Sequence, residues 1–200
     1  MNSGDPENAD LLERLRQVGA LKEGHFLLAS GRHSDRYIEK FDLLRRPRAV
    51  EAVCRGFADR FRSERIDVVV GPTTGGIILA FEVARQLGVT CAFAERREDG
   101  ERTREFRRGT TFSPGQRVLL VDDILTTGGS IRETLAALAL QPIDVVGVAV
   151  LVDRSAGVTQ FDAIPLFALA TIDVETWDPE ACPLCRQGIP VDKPGTTAAS

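Results

Sequence analysis

Two neighbouring carboxylates, Asp122 and Asp123, stand directly behind four apolar residues, Val118 to Val121, and just ahead of a run of small residues. The apolar run has the composition of a strand buried on both faces, as in a parallel sheet. Two adjacent acids at the end of such a strand repel one another unless something uses them. After Ile124 and Leu125 come Thr126, Thr127, Gly128, Gly129 and Ser130, then an apolar helical face of Ile131, Leu135 and Leu138. Ser130 and Glu133 have the spacing of a capping box. A loop of this kind aims free N–H groups at one point with a helix dipole behind them, which suits a phosphate. The carboxylates can accept hydrogen bonds from two sugar hydroxyls, or hold Mg²⁺ through them or through water. A phosphate site one sugar-length from an acidic pair describes a cradle for a ribose 5-phosphate. The plainer alternative is a strand–turn–helix junction with an exposed acidic turn.

A second junction of the same kind precedes it. A strand expected over Ile66 to Val70 runs into Gly71, Pro72, Thr73, Thr74, Gly75 and Gly76, and a helix follows from Ile77 to Leu87 with Gly88 as its stop. Its N–H groups can cradle a second anion. Two such junctions on one parallel sheet carry more weight than either alone, because ligands collect at the carboxyl ends of the strands.

Arg154 stands at the end of another apolar strand, Ile143 to Val152, behind Asp153. A guanidinium there can grip a carboxylate through two parallel hydrogen bonds; an ordinary surface arginine is the alternative. Between a strand at Val89 to Ala94 and a possible return strand at Phe106 to Phe112 lies Glu95 to Glu105, charged apart from Gly100 and Thr103. It reads as a solvated hairpin tip or as a lid whose arginines, Arg96, Arg97, Arg102 and Arg104, close over an anion and exclude water. Arginine stabilises charge but is a poor proton donor at neutral pH.

The elements that must hold these groups alternate between strand and helix. Helices are expected over Asp10 to Leu21 and Pro47 to Arg62, and a last strand over Ile164 to Ala170. The fold expected is α/β: a mainly parallel central sheet with helices on both faces. A small N-terminal hood joins it, from short strands at Phe26 to Leu28 and at Tyr37–Ile38 around a turn at Ser30–Gly31. The domain reading is one unit over 10–195, with the hood over about 20–45 together with the C-terminal segment 172–195, and disorder over 1–9 and 196–200.

The chain has 200 residues, 43% hydrophobic and 27% charged, so it can bury a core as one ordinary globule. A net charge of −4 argues against a nucleic-acid partner. No apolar stretch nears the roughly 20 residues of a membrane span, and the polar N-terminus lacks a signal-peptide core. The expectation is a cytoplasmic protein without a membrane partner. The only lysines are Lys22, Lys40 and Lys193, and the only histidines, His25 and His33, read as surface residues rather than general bases. Cys182 and Cys185 have metal-ligand spacing but no second pair completes four ligands. An inert structural tail is the preferred reading, and zinc shared between two subunits the alternative.

The run from Arg117 to Thr134 closely resembles the phosphoribosyl-diphosphate (PRPP) signature of the type I phosphoribosyltransferases. The resemblance implies that Asp122 and Asp123 face the ribose hydroxyls and, with PRPP, hold Mg²⁺ indirectly. It implies that Ile124, Leu125 and the loop Thr126, Thr127, Gly128, Gly129, Ser130 bind the donor and its 5-phosphate, while Thr73, Thr74, Gly75 and Gly76 meet the diphosphate. Some relatives carry a lysine in the place of Gly75. The Glu95 to Glu105 segment falls where the family has its catalytic loop, which makes Arg96 and Arg97 the catalytic cations and implies a homodimer with the loop shared between subunits.

The N-terminal block, from Lys22 through Gly24 and Ser30–Gly31 to Tyr37, is similar to the hood of the orotate branch, as is the tail from Cys182 to Gly195. That likeness puts Lys22 on PRPP, and Tyr37, Ile38, Thr126 and Arg154 on orotate. The implied reaction transfers ribose 5-phosphate from PRPP to orotate, a step of pyrimidine nucleotide synthesis. The rivals are a purine or uracil phosphoribosyltransferase, and a PRPP-binding regulator without catalysis.

Overall fold

Side-chain alternation along the strands decides the layout. The computed structural model describes residues 6–28, 30–98, 103–155 and 157–194. In chain order these form α1 (Pro6–Gln17), β1 (Leu21–Leu27), β2 (His33–Ile38), α2 (Lys40–Leu44), α3 (Pro47–Phe61), β3 (Val68–Pro72), α4 (Gly75–Leu87) and β4 (Thr90–Arg96). There follow β5 (Arg104–Glu105), β6 (Gln116–Leu125), α5 (Gly129–Leu138), β7 (Ile143–Asp153), β8 (Leu166–Thr171), β9 (Thr176–Trp177), a 3₁₀ turn (Pro179–Ala181) and α6 (Pro183–Arg186).

Six strands make the central sheet in the order β5-β4-β3-β6-β7-β8. All its pairings are parallel except β4 with β5. Odd-numbered residues Val69, Leu119, Val121, Ala149 and Leu151 face one apolar cluster with α1, α3 and α4. Even-numbered Val68, Val70, Val118, Leu120, Val148 and Val150 face a second cluster with Ile131 and Leu138 of α5. The period of two thus feeds both faces at once, and strands buried on both faces read as unbroken apolar runs. The expected α/β fold is observed.

The hood is a three-stranded antiparallel sheet, β1-β2-β9. Asp192 adds a parallel bridge to Phe26, donating to the His25 carbonyl at 2.7 Å and accepting from the Leu27 N–H at 2.8 Å. The two ends of the chain therefore build one small layer.

Several expectations need correction. Strand β6 runs past its apolar run to Leu125, so Asp122 and Asp123 belong to the strand end and are buried. An exposed acidic turn is excluded. Helix α1 begins at Pro6, ahead of the expected start and inside the stretch read as disordered; 1–5, like 195–200, lie outside the described residues. Strand β1 starts at Leu21, hidden in the sequence by a bulge between Glu23 and Phe26 that breaks its alternation. Phe106 to Phe112 is not a strand. From this segment only Arg104 and Glu105 pair with β4, while Phe106 and Phe112 stack edge-on to each other with centroids 4.8 Å apart and pack on the α5-side cluster. His25 and His33 are not surface residues: 3% and 7% exposed, they lie between the hood and the tail.

Candidate active site

The β6–α5 junction brings its carboxylates and its loop to the carboxyl edge of the sheet. Asp122 accepts from the Ser130 hydroxyl at 2.7 Å and from the Asp123 N–H at 2.9 Å. Asp123 accepts from the Ile124 N–H at 2.7 Å. Burial, then the charge of Asp123, pushes the Asp122 carboxyl up to about 6, against the pull of Ser130, the backbone and Lys40. The pair stores negative charge that the protein only partly compensates. The expected capping box is absent. Gly128, at φ +78°, is the N-cap and no side chain caps the helix. Ser130 has turned to Asp122, and Glu133 accepts instead from Arg104 Nε at 3.1 Å. By helix geometry the N–H groups of Gly129, Ser130 and Ile131 have no intrahelical acceptor, because the first such bond runs from Arg132 to Gly128 at 2.9 Å. Thr126, Thr127 and Gly129 are exposed beside them.

The β3–α4 junction is built differently. A Cβ on Gly71 would stand 2.0 Å from the Gly76 carbonyl oxygen, and one on Gly76 would stand 2.6 Å from Pro72. A Cβ on Gly75 would stand 2.0 Å from Asp123 Oδ2. The loop is folded onto itself and against the acidic pair, which leaves no room here for the lysine some relatives carry. The Thr73 N–H is spent on the Ala94 carbonyl at 3.0 Å, and its hydroxyl accepts from Arg104 Nη1 at 3.0 Å. Thr74 is exposed, and α4 starts with Gly75 and Gly76, whose N–H groups have no intrahelical acceptor.

The hood supplies cations. The Lys40 ammonium lies 3.1 and 2.9 Å from the two oxygens of Asp123. Sequence reasoning counted Lys40 as one of three lysines and gave it no role. Its scarcity in an arginine-rich chain was the one available signal. Lys22 pairs across the hairpin with Tyr37 and lies 3.5 Å from Asp42. Burial raises the Tyr37 phenol, as does Glu39, while the charges of Lys22, Arg154 and Lys40 pull it down. Ile38, next to it, is 6% exposed and packs in the core under the hood.

Arg154 is held by its own backbone: its N–H donates to Leu125 at 2.8 Å, and Asp153 accepts from Ser155 at 2.7 Å to shape the turn. Its Nε is buried without a hydrogen-bond partner among the described residues, and burial lowers its proton affinity. A buried guanidinium nitrogen left unpaired costs free energy unless an acceptor comes to it.

Arg96 and Arg97 are exposed at the end of β4. Arg104 is not an exposed lid residue. It is 6% exposed, tied to Glu133, Thr73 and the Ala94 carbonyl, and thus joins β5 to both junctions. Arg102 lies outside the described residues. The structure therefore gathers Asp122, Asp123, Ser130, Lys40, Lys22, Tyr37 and Arg154 around the carboxyl ends of β6 and β7, with the Thr73–Gly76 loop beside them. It leaves Arg96 and Arg97 exposed at the carboxyl end of β4.

A fold of this topology, with two anion loops and an acidic pair on one sheet edge, defines a phosphoribosyl transferase. The family model for the phosphoribosyl transferase domain matches residues 42–181, and the chain belongs to that family. The chain is 43% identical over 190 residues to the orotate phosphoribosyltransferase of Caldanaerobacter subterraneus subsp. tengcongensis, covering 95% of this chain and 98% of that one. It is 46% identical over 187 residues to that of Pelotomaculum thermopropionicum, covering 94% and 96%. The crystal structure of orotate phosphoribosyltransferase from Aeropyrum pernix superposes with a TM-score of 0.67 at 28% identity, over 81% of this chain and 93% of that one. These relatives place the chain, within the family, among the orotate phosphoribosyltransferases.

Proposed function

We propose that this chain transfers ribose 5-phosphate from PRPP to N1 of orotate. Once N1 has given up its proton to solvent, the C1′–N1 bond forms, the C1′–oxygen bond breaks, and the electron pair leaves with diphosphate. The observation that carries the choice of base is the buried, unpartnered Nε of Arg154. It calls for an acceptor, and a guanidinium pairs most strongly with a carboxylate; orotate carries one, whereas uracil and the purine bases do not. Tyr37 and Thr126 flank the base in this reading, while Ile38 only supports Tyr37 from the core.

The β6–α5 loop holds the 5-phosphate with its free N–H groups, and Asp122 and Asp123 accept from the ribose hydroxyls. Lys40 fixes Asp123 for that task, and Lys22 reaches the donor from the hood. The Thr74–Gly76 donors orient the diphosphate, and Arg96 and Arg97 close over it, stabilising the charge that develops as it leaves. The donor set fits Mg²⁺: two adjacent hard carboxylates, where burial first and then the Asp123 charge raise the proton affinity of Asp122. Bound with PRPP, and reached by Asp122 and Asp123 indirectly, Mg²⁺ would neutralise diphosphate charge.

The exposed apolar patch of Ile78 and Phe81 on α4 with Phe41 on α2 supports a homodimer, with Phe81 61% exposed. Sharing of the lid between its subunits follows from the resemblance alone. No helix among the described residues is long and apolar enough to cross a membrane, and a cytoplasmic site of action is part of the same proposal.

The test is orotate loss followed by absorbance with PRPP and Mg²⁺, beside uracil, adenine, hypoxanthine and xanthine. Turnover is expected with orotate alone. Arg154→Ala should raise the orotate KM about a hundredfold, the ~3 kcal/mol of two charged hydrogen bonds, with calorimetric PRPP affinity unchanged. Turnover with another base, or unaltered orotate kinetics in Arg154→Ala, overturns the assignment of the base.

A further inference from the structure

The chain's only two histidines and two of its four cysteines meet at one point far from the acidic pair in sequence. One ligand atom from each of His25, His33, Cys182 and Cys185 lies within 4.8 Å of every other. His25 Nε2 is 2.8 Å from His33 Nδ1, 3.5 Å from Cys182 Sγ and 3.7 Å from Cys185 Sγ, and Cys185 Sγ is 3.3 Å from His33 Nδ1. His25, His33 and Cys182 are buried, Cys185 closes the exposed side, and both cysteines are free thiols.

The orientation of His25 is fixed from outside the cluster. Its Nδ1 lies 2.7 Å from the carbonyl oxygen of Ile189. A carbonyl only accepts, so Nδ1 carries the proton and Nε2 turns a lone pair towards the other three groups. A ring nitrogen tied to a carbonyl with its partner nitrogen aimed into a ligand set is the usual arrangement of a metal-binding histidine. Bond lengths of about 2.3 Å to sulfur and 2.0–2.1 Å to nitrogen put the edges of a tetrahedron near 3.5 Å for sulfur–nitrogen and 3.4 Å for nitrogen–nitrogen. These three sulfur–nitrogen separations match, and the two imidazoles need to part by about half an ångström.

We propose that His25 Nε2, His33 Nδ1, Cys182 Sγ and Cys185 Sγ form a tetrahedral site for a structural zinc ion within one chain. Two thiolates with two imidazoles in a closed set favour zinc over hard cations, which take oxygen ligands. The second pair of ligands comes from the chain's own hood, so no site shared between subunits is required. The placement explains the need. His25 is on β1, His33 opens β2, and in the tail Cys182 is the N-cap of α6 while Cys185 lies within it. The hood strands have 7, 6 and 2 residues, too little sheet to be stable unaided. A metal there fastens the tail to the hairpin, whose other end carries Lys22 and Tyr37. The proposal does not depend on which base the enzyme takes.

The experiment is metal analysis of full-length protein reconstituted with Zn²⁺ and freed of excess by gel filtration, paired with the visible spectrum of a Co²⁺-loaded sample. We expect about one zinc per chain. Cobalt should show intense tetrahedral bands with thiolate charge transfer. A strong chelator should lower Tm and re-added zinc restore it. Cys182→Ser and Cys185→Ser should lose the metal, while Cys54→Ser and Cys91→Ser keep it. Because the cobalt spectrum and the chelator cycle use the unaltered chain, a misfolded variant does not obscure the answer. Zinc well below one equivalent with Tm indifferent to chelator overturns the proposal. So does a half equivalent, or zinc that survives both Cys182→Ser and Cys185→Ser.

Discussion

The two strand–loop–helix junctions on the sheet edge use glycine for opposite reasons. At β3–α4 the glycines are places where nothing else fits: Cβ atoms on Gly71, Gly75 and Gly76 would meet backbone, proline ring or carboxylate at 2.0–2.6 Å. At β6–α5 the space is open at Gly129, though a Cβ on Gly128 would stand 3.0–3.1 Å from Thr159 and Phe161. A Cβ on Gly129 would find its nearest neighbour, Thr127 Oγ1, at 3.9 Å, and Gly128 is required by its positive φ. The first junction is packed tightly against Asp123 and offers a ligand only its backbone donors. The second leaves open space beside its donors, which the proposed function gives to a phosphate. Similar composition in sequence thus conceals one loop that packs on a carboxylate and one that leaves room beside its donors.

Substitutions separate the two devices. Gly75→Ala should do most damage, because its methyl must displace the Asp123 carboxylate. PRPP affinity by calorimetry should fall about a hundredfold, ~3 kcal/mol, alongside an overpacking loss of about 1–3 kcal/mol in stability. If Gly75→Ala binds PRPP normally, the loop does not position Asp123.

Lys40→Met should come next. It leaves a carboxylate only 5% exposed without its ammonium. PRPP affinity should drop about tenfold, ~1.4 kcal/mol, with the pair's solvent-exposed side limiting the effect. An unchanged affinity would mean that Lys40 merely covers Asp123.

The pH dependence tests the charge stored at the acidic pair. The Asp122 carboxyl titrates higher folded than unfolded, so its ionised form costs stability above about pH 6, and the cost disappears as pH falls through that value. Between pH 7 and 5 the ligand-free protein should gain about 1 kcal/mol from this group relative to Asp122→Asn, measured by denaturant titration. PRPP binding should run the other way, weakening over the same range, because ribose hydroxyls donate to the ionised form. A difference between the two proteins that is flat in pH would refute the assignment.

Gly129→Ala should have the smallest effect. With room for the methyl, stability should change by less than about 0.5 kcal/mol. The KM for PRPP should still rise a few-fold, under about 1 kcal/mol, as the methyl crowds a phosphate at the helix end. A large fall in Tm would show that the open junction is packed after all.

What could be read in advance follows sequence distance. Strands β3, β6 and β7 are buried on both faces and advertise themselves as apolar runs. The acidic pair and its loop lie within nine residues of one another, from Asp122 to Ser130. The hood was harder, because a bulge broke β1 and β9 is two residues long. The capping box was misread because Asp122 competes successfully for Ser130, and Arg104 for Glu133. Neither contest is visible until β6 and β5 are laid beside α5.

By itself the sequence determined the sheet, the two strand–loop–helix junctions, the acidic pair and the arginine at the end of β7, because each rests on local pattern. Tertiary structure alone decided that Lys40 crosses 83 positions to Asp123, and that His25 crosses 157 to Cys182. Side chains so far apart carry no mutual periodicity. They are brought together only when the hood closes on the sheet edge and the tail closes on the hood, burying polar groups that must then find partners.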